Sequence, residues 1–308
     1  MRMPFISVVI PAYNEAANLP AMVARLRAVL EPIGDWELLF VDDGSSDDTL
    51  ALLRRLRSAD ERIRYLSFSR NFGHQNALRA GLERSRGELV VTMDGDLQQP
   101  PELIPSMVQK YREGYQIVNT LRRGEKNVDA LKKLTSRGFY RMINALGDIR
   151  IEDGAADFRL ISRNAKDAML SFGEQGIFWR GVVPWVGFRQ CALPYEAAPR
   201  LHGETKYGFR RMLGLALDGI TSFSVKPLQL TTIAGAVCSG FAFVYAVYAL
   251  AMRLFSDATV AGWTSLLISV LFIGGIQLLS LGIIGEYLGK LFMESKRRPH
   301  YIIAEESE

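Results

Sequence analysis

Cysteine is scarce in this chain of 308 residues: Cys191 and Cys238 stand far apart, and neither has a CxxC partner. That argues against a disulfide framework and against a thiolate zinc site. An excess of one charge is also missing. Lys and Arg number 37 against 33 Asp and Glu, a formal net charge of +4, which does not single out nucleic acid as a partner. The three histidines, His74, His202 and His300, are scattered, and none is assigned to a metal or to catalysis. No GxGxxG follows the first strand-like run, and no GxxxxGK[ST] occurs, so a dinucleotide fold of that type and a P-loop both drop out. The opening MRMPFISVVIP is interrupted too soon for a signal peptide and reads as the first strand of a cytoplasmic domain.

Charge is absent for two long stretches near the end. Residues 228–252 and 258–285 hold no Asp, Glu, Lys or Arg. Each is long enough to cross a bilayer core, which takes about 20 helical residues. Lys206, Arg210, Arg211 and Lys226 flank one outer end, and Lys290, Lys296, Arg297 and Arg298 flank the other, while the short link holds Arg253 and Asp257. The positive-inside rule then puts both termini in the cytoplasm and the protein in the inner (cytoplasmic) membrane as a multi-pass chain. Trp263 and Tyr287 sit where interfacial aromatics belong. The spans carry no acid or base in their middle, which argues against an ion-coupled transporter. Gly235, Gly240, Gly274, Gly275, Gly282 and Gly285 can support close helix packing, within the chain or in a homo-oligomer.

Strand and helix patterns alternate four times before that. ISVVIPAYNE reads as strand and turn, and apolar residues from Leu19 to Leu30 recur at helical spacing. WELLFVDD, RIRYLSFS and ELVVTMDGD are further strands, and DTLALLRRLRSA and HQNALRAGLERS are helices. The expected fold class is α/β, with a mostly parallel central sheet. Ligands bind beyond the carboxyl ends of such strands. That rule picks out residues 11–15, 42–45, 70–73 and 94–98.

Asp94 and Asp96 follow the fourth strand with Gly95 between them. In an extended segment residues i and i+2 face one way. The two carboxylates therefore aim together at the crevice, where a hard cation such as Mg²⁺ or Mn²⁺ would offset their repulsion. Gln98 can add a neutral oxygen. Asp42, closest to its strand end, is placed to accept from a base or ribose. Ser46, Asp47 and Asp48 read better as caps of the following helix.

PAYNE, VDDGSSD and DGDLQ, in this order and spacing, resemble the family 2 glycosyltransferases of the GT-A fold. ADFRL at 156–160 and RLHGETKY at 200–207 extend the match. With the two spans, the chain is most similar to the polyprenyl-phosphate branch, which includes dolichyl-phosphate mannose synthases and bactoprenol glucosyltransferases. FWRGVVPWVGF, DGITSFSVKPL and LGIIGEYLGKLF point to the bactoprenol (undecaprenyl-phosphate) glucosyltransferases. The QxxRW motif of processive synthases is missing. The resemblance implies a UDP-sugar on the first two motifs: Pro11, Ala12, Tyr13, Glu15, Asp42 and Asp43, with Asn71, Gly73, Asp94 and Gly95 beside it. It implies a metal on Asp94, Asp96 and Gln98.

The implied reaction moves a sugar, glucose first, from UDP to undecaprenyl phosphate with inversion. A mannose or modified aminoarabinose donor is the alternative within enzymes, and a flippase or transport subunit the alternative outside them. The leaving diphosphate needs cations, for which Arg122, Arg123, Arg200 and Lys206 are the candidates. Asp157 in ADFRL is expected to orient a sugar hydroxyl or the acceptor rather than act as base. Ser136 and Arg137, assigned mainly by the resemblance, are the expected acceptor-phosphate contacts, on a basic amphipathic stretch suited to a membrane surface. Phe178, Trp179 and Trp185 are expected at the head-group layer. A flippase and a second glycosyltransferase would use the product. The expected organisation is a catalytic domain over 1–200, interfacial helices over 201–227, spans at 228–252 and 263–288 around an external loop at 253–262, and a basic tail over 289–308.

Overall fold

The computed structural model describes residues 5–123, 155–196, 221, 224–255 and 262–307. The chain divides into two compact units. One holds the sheet and takes in the C-terminal residues from Arg298, and the other spans Leu217–Arg297 with Ala145–Asp148.

In the first unit, β1 (Ile6–Ala12), β2 (Trp36–Asp42), β3 (Ile63–Phe68) and β4 (Leu89–Thr92) are buried at every position. Their apolar runs do not alternate because both faces of the sheet are covered. Between them run α1 (Leu19–Leu30), α2 (Thr49–Ala59) and α3 (His74–Arg84). α1 buries Leu19, Met22, Val23, Leu26 and Leu30, the stripe that its 3.6-residue spacing predicts. A short 3₁₀ turn and α4 (Ile104–Arg112) follow β4. β5 (Ile117–Arg123), β6 (Ala155–Ser162), α5 (Arg163–Leu170), α6 (Trp179–Trp185) and β7 (Gln190–Glu196) extend the fold.

The sheet has eight strands in the order β7-β5-β6-β4-β1-β2-β3-β8. β1, β2, β3 and β4 pair in parallel. β6 runs antiparallel between β4 and β5, and β7 pairs in parallel with β5. The centre is parallel as expected, and the flanks make the sheet mixed.

The eighth strand lies in the segment read as a basic tail. β8 (Ile303–Glu306) pairs antiparallel with β3, with Leu66 opposite Glu306 and Phe68 opposite Ile303. β3 would otherwise present a row of open amides and carbonyls. β8 covers them, and Ser69 N donates to Ile302 O at 3.0 Å beyond its end.

In the second unit, α7 (Lys226–Phe255) and α8 (Trp263–Ser295) are long and apolar, and none of the most apolar part of either is buried. Phe241 is 74% exposed and Leu278 72%, unlike the core helices of a soluble protein. They are candidate membrane spans over Lys226–Met252 and Ile268–Ser295. Tyr287 donates to Ser224 O at 2.6 Å, and Lys290 to the Thr221 hydroxyl, so the end of α8 meets the start of α7. Among the described residues, none packs against the glycines of these helices. A Cβ at Gly235, Gly240, Gly274, Gly275, Gly282 or Gly285 would meet nothing within 4 Å.

Candidate active site

From β1 the chain runs outward to β2 and β3, then crosses back to β4 on the other side of β1. That reversal opens a crevice at the carboxyl ends of β1 and β4. Pro11–Glu15 leaves β1 there, and Asp94–Asp96 leaves β4. A Cβ on Gly95 would lie 3.3 Å from Pro11 O and 3.5 Å from Glu15 Cγ, so the two motifs touch. Pro11 and Ala12 are buried, and Tyr13 is exposed.

The β1 loop is clasped to the β2 loop. Asn14, at φ 58°, donates its amide to the Ser45 hydroxyl at 2.9 Å and accepts from Ser46 N at 2.8 Å. Asp47 accepts from Ala16 N and Thr49 N, while Asp48, at the N-cap position of α2, makes no capping bond. Gly44 takes φ +67°, and a Cβ there would sit 2.4 Å from Arg70 C. Only glycine lets this turn close on the β3 loop.

Asp42 and Asp43 are 1% and 4% exposed. Asp42 accepts from Ser45 N at 3.0 Å and the Ser67 hydroxyl at 2.7 Å. Asp43 accepts from Phe72 N at 2.7 Å and Gly73 N at 3.0 Å. Burial pushes the Asp43 carboxyl up against the pull of those amides. Asp43 thus organises the Arg70–Gly73 loop, within which Asn71 is exposed, while Asp42 ties its own turn to the end of β3.

At the end of β4, Asp94 N donates to Gln99 Oε1 at 2.8 Å, and Gln99 Nε2 donates to Asp94 Oδ2 at 2.6 Å. Gln99, not Gln98, is the side chain that meets Asp94. Gln98 gives its backbone amide to Asp96 Oδ1 at 3.1 Å. Leu97 takes φ 60° with its side chain buried. That left-handed conformation costs about 1–2 kcal/mol and marks a constrained turn.

Asp157 faces this turn from β6, next to β4. Arg159 Nη2 lies 2.8 Å from Oδ1, and Arg180 Nη2 of α6 lies 3.1 Å from Oδ2. His74 Nε2 stands 3.7 Å from Asp157 Oδ2 and 3.6 Å from Asp94 Oδ1. Burial would raise the Asp157 carboxyl, but Arg180, His74 and Arg159 outweigh it and hold it well below the usual range. Asp94 goes the other way. Burial pushes it up, and Asp157 and Asp96 add to that against the opposing pull of His74 and Arg180. Burial would lower His74, but Asp157 and Asp94 outweigh it and raise its pKa. Tyr195, at the end of β7, is raised first by burial, and it also senses Arg122, Asp94, Asp96 and Arg180. β5 and β7 run parallel to β4, so their carboxyl ends lie on the same side of the sheet as the Asp94–Asp96 turn.

The acidic turn fits a divalent cation. Two carboxylates one residue apart are hard oxygen donors, and each raises the cost of ionising its neighbour. Among the described residues no cluster of three or more His, Cys, Asp or Glu forms a closed cage. A cation here would complete its ligands from phosphate oxygens and water, as Mg²⁺ commonly does.

The structure thus gathers Pro11, Glu15, Asp94, Gly95, Asp96, Asp157 and Arg122 around one crevice. Asp42, Asp43 and Gly73 frame it through their loops. Arg123 is the last residue of β5. Ser136, Arg137, Arg200 and Lys206 lie outside the described residues, as do the basic amphipathic stretch around Ser136 and Arg137 and most of the interfacial segment read over 201–227. Sequence reasoning passed over His74, Gln99 and Arg180. His74 directly follows a loop that the strand-end rule had picked out, which is the signal that could have found it. Trp179, expected at the head-group layer, is 2% exposed and donates Nε1 to Gln75 O at 3.0 Å. Its burial seats Arg180 beside Asp157. Trp185 is 60% exposed.

Residues 7–169 match the description of glycosyl transferase family 2. The chain is 45% identical over 298 residues to glycosyltransferase YkcC of Bacillus subtilis (strain 168), covering 96% of this chain and 92% of that one. It is 37% identical over 305 residues to the bactoprenol glucosyl transferase of Shigella phage SfV, covering 98% and 99%. Among solved structures, glucosyl-3-phosphoglycerate synthase from Mycobacterium tuberculosis in complex with Mn²⁺, UDP-glucose and phosphoglyceric acid is 21% identical. It covers 71% of this chain and 78% of that one, with a TM-score of 0.49.

Proposed function

This chain belongs to glycosyl transferase family 2, and we propose that within it the enzyme transfers glucose from UDP-glucose to the phosphate of undecaprenyl phosphate, with inversion, at the cytoplasmic face of the membrane. The observation that carries this reading is the Asp94-Gly95-Asp96 turn packed against Pro11 and Glu15 at the reversal of the sheet. That is the place for a diphosphate with its counter-ion. The glucosyl donor and the lipid acceptor are drawn from what the Shigella phage relative is named for.

Asp94 and Asp96 would hold Mg²⁺ or Mn²⁺, with Gln98 as a further oxygen donor, and the ion would neutralise charge on the leaving UDP. Arg122, Arg123, Arg200 and Lys206 are proposed to share that task. The loops closed by Asp42 and Asp43 would receive uridine. Ser136 and Arg137 are proposed for the acceptor phosphate.

Asp157 is proposed as an orienting group. A carboxylate held by two guanidinium groups and an imidazole is ionised, and it is a poor proton acceptor. The nucleophile does not need one. A phosphate monoester has a second pKa of about 6 and is already largely dianionic at neutral pH.

The C-terminal strand supports the topology. Chain before and after the candidate hairpin enters one sheet, which fits an even number of crossings. The basic flanks then favour the cytoplasmic side for the sheet.

The test is transfer to undecaprenyl phosphate by purified protein in detergent with Mg²⁺ or Mn²⁺. UDP-glucose, UDP-galactose, UDP-GlcNAc and GDP-mannose are offered in parallel. A lipid-phosphate-glucose product from UDP-glucose alone is expected. Product from another donor only would overturn the sugar, and no lipid product from any donor would overturn the acceptor.

A further inference from the structure

β8 does more than cover an open edge. Just before it, Tyr301 stacks on Phe68, with ring centroids 4.9 Å apart and planes 15° from parallel. Its hydroxyl donates to Glu83 on α3. Phe68, 3% exposed, meets Phe72 edge-on at 5.7 Å and 88°. Phe72 and its neighbour Gly73 give their amides to Asp43. The Arg70 guanidinium lies 4.1 Å from the Phe72 ring centroid. One strand position away, Ser67 pairs with Glu305 and gives its hydroxyl to Asp42. The two carboxylates at the end of β2 are thus held by the end of β3, and the end of β3 is held by the C-terminal segment.

We propose that Tyr301 is a positioning residue for the nucleoside diphosphate: stacked on Phe68, it fixes Phe72 and so keeps the Phe72–Gly73 amides on Asp43, the wall of the nucleotide pocket. This rests on the reading above that the Asp42–Asp43 turn receives uridine. Tyr301 touches no substrate. Its influence runs through two rings and a pair of amides, so it should act on nucleotide affinity and leave the acceptor and the turnover step alone. Pairing of β8 with β3 uses backbone groups and survives loss of the ring, which separates the proposal from simple closure of the sheet edge.

The experiment is calorimetric titration of UDP, and in parallel GDP, onto the full-length protein in detergent with Mn²⁺, using wild type, Tyr301→Ala, Tyr301→Leu and Tyr301→Phe. Aromatic pairs of this kind are modest in strength, so UDP affinity should fall roughly 3- to 10-fold in the Ala and Leu variants. Tyr301→Phe keeps the stack and should bind within about twofold of wild type. KM for polyprenyl phosphate and kcat at saturating donor should stay unchanged. UDP binding as tight as wild type in a folded Ala or Leu variant overturns the proposal. So does equal weakening in Tyr301→Phe, which would assign the effect to the Glu83 hydrogen bond. Wild type that takes GDP and not UDP would overturn the donor reading instead, and the same four proteins titrated with GDP would still judge Tyr301.

Discussion

The two ends of the sheet each bury a carboxylate among basic groups, and they use it differently. At the amino ends of the strands, Glu37 of β2 accepts from the Ser7 hydroxyl of β1, from Arg64 of β3 at 3.1 Å and from Arg86 N at 2.8 Å. Ser7 in turn accepts from Gly87 N ahead of β4 at 2.7 Å. The Arg64 and Glu37 side chains are only 6% and 5% exposed. One anion and one cation, sealed from water, tie four strands together. At the carboxyl ends, Asp157 is as buried, and Arg159 with it, but the other groups around it open outward: the side chains of His74, Asp94 and Arg180 are 40%, 37% and 39% exposed. There the carboxylates of Asp94, Asp96 and Asp157 crowd with the guanidinium groups of Arg159 and Arg180 and the His74 imidazole, and they face a crevice. A sealed, matched pair holds a fold, while an open, crowded cluster awaits charge from a ligand.

Substitutions at the two ends should therefore part company in an assay of transfer. Asp96→Asn should lower kcat by roughly 10²–10³ or more with thermal stability kept, and it should abolish metal-dependent UDP binding. A variant as active as wild type would remove the metal assignment. Asp157→Asn should cost less per folded molecule, on the order of 10²-fold, as misplacement of a reactant does, and it should also lower stability by leaving the buried Arg159 guanidinium without its carboxylate. A loss equal to that of Asp96→Asn would return Asp157 to the role of base. Glu37→Gln should leave kcat per folded molecule within about twofold, yet it strands a buried guanidinium and should destabilise the sheet by about 3–5 kcal/mol in denaturant unfolding. If it instead spared stability and cut activity, the contrast between the ends would fail.

The smallest effect should appear at the β8 edge. Arg54 and the Tyr65 hydroxyl hold the Glu305 carboxyl down at about 2, from an ordinary 4.5. A depressed acid stabilises the folded state above its unfolded pKa, and that contribution is lost as pH falls toward the folded one. Docking of β8 should thus weaken between about pH 4.5 and 2. Amide exchange of residues 303–306 should rise over that window in wild type, and Glu305→Gln should flatten the response.

Much of the centre was legible because it is built locally. Apolar runs of the right length mark β1 to β4, and turn residues at their ends mark the loops, so the strand-end rule alone places Asp94, Asp96 and the Pro11–Glu15 turn together. The groups that complete the site are non-local. His74 gains meaning from carboxylates on β4 and β6, and Arg180 from a tryptophan buried beside it, and no spacing rule joins them. Gln98 and Gln99 differ only by a left-handed turn at Leu97, which the sequence does not announce. β8 was hidden for another reason. Ile303–Glu306 is four residues with two acids, following Lys296, Arg297 and Arg298, and its pattern is that of a solvated end until β3 supplies the partner.

That strand also sets an order of events during synthesis. β8 leaves the ribosome after both long apolar helices, so β3 stays an open edge while those candidate spans are being made. A nascent catalytic sheet with a bare edge is prone to pair with the wrong chain. The sheet is therefore closed only once both candidate spans have been synthesised.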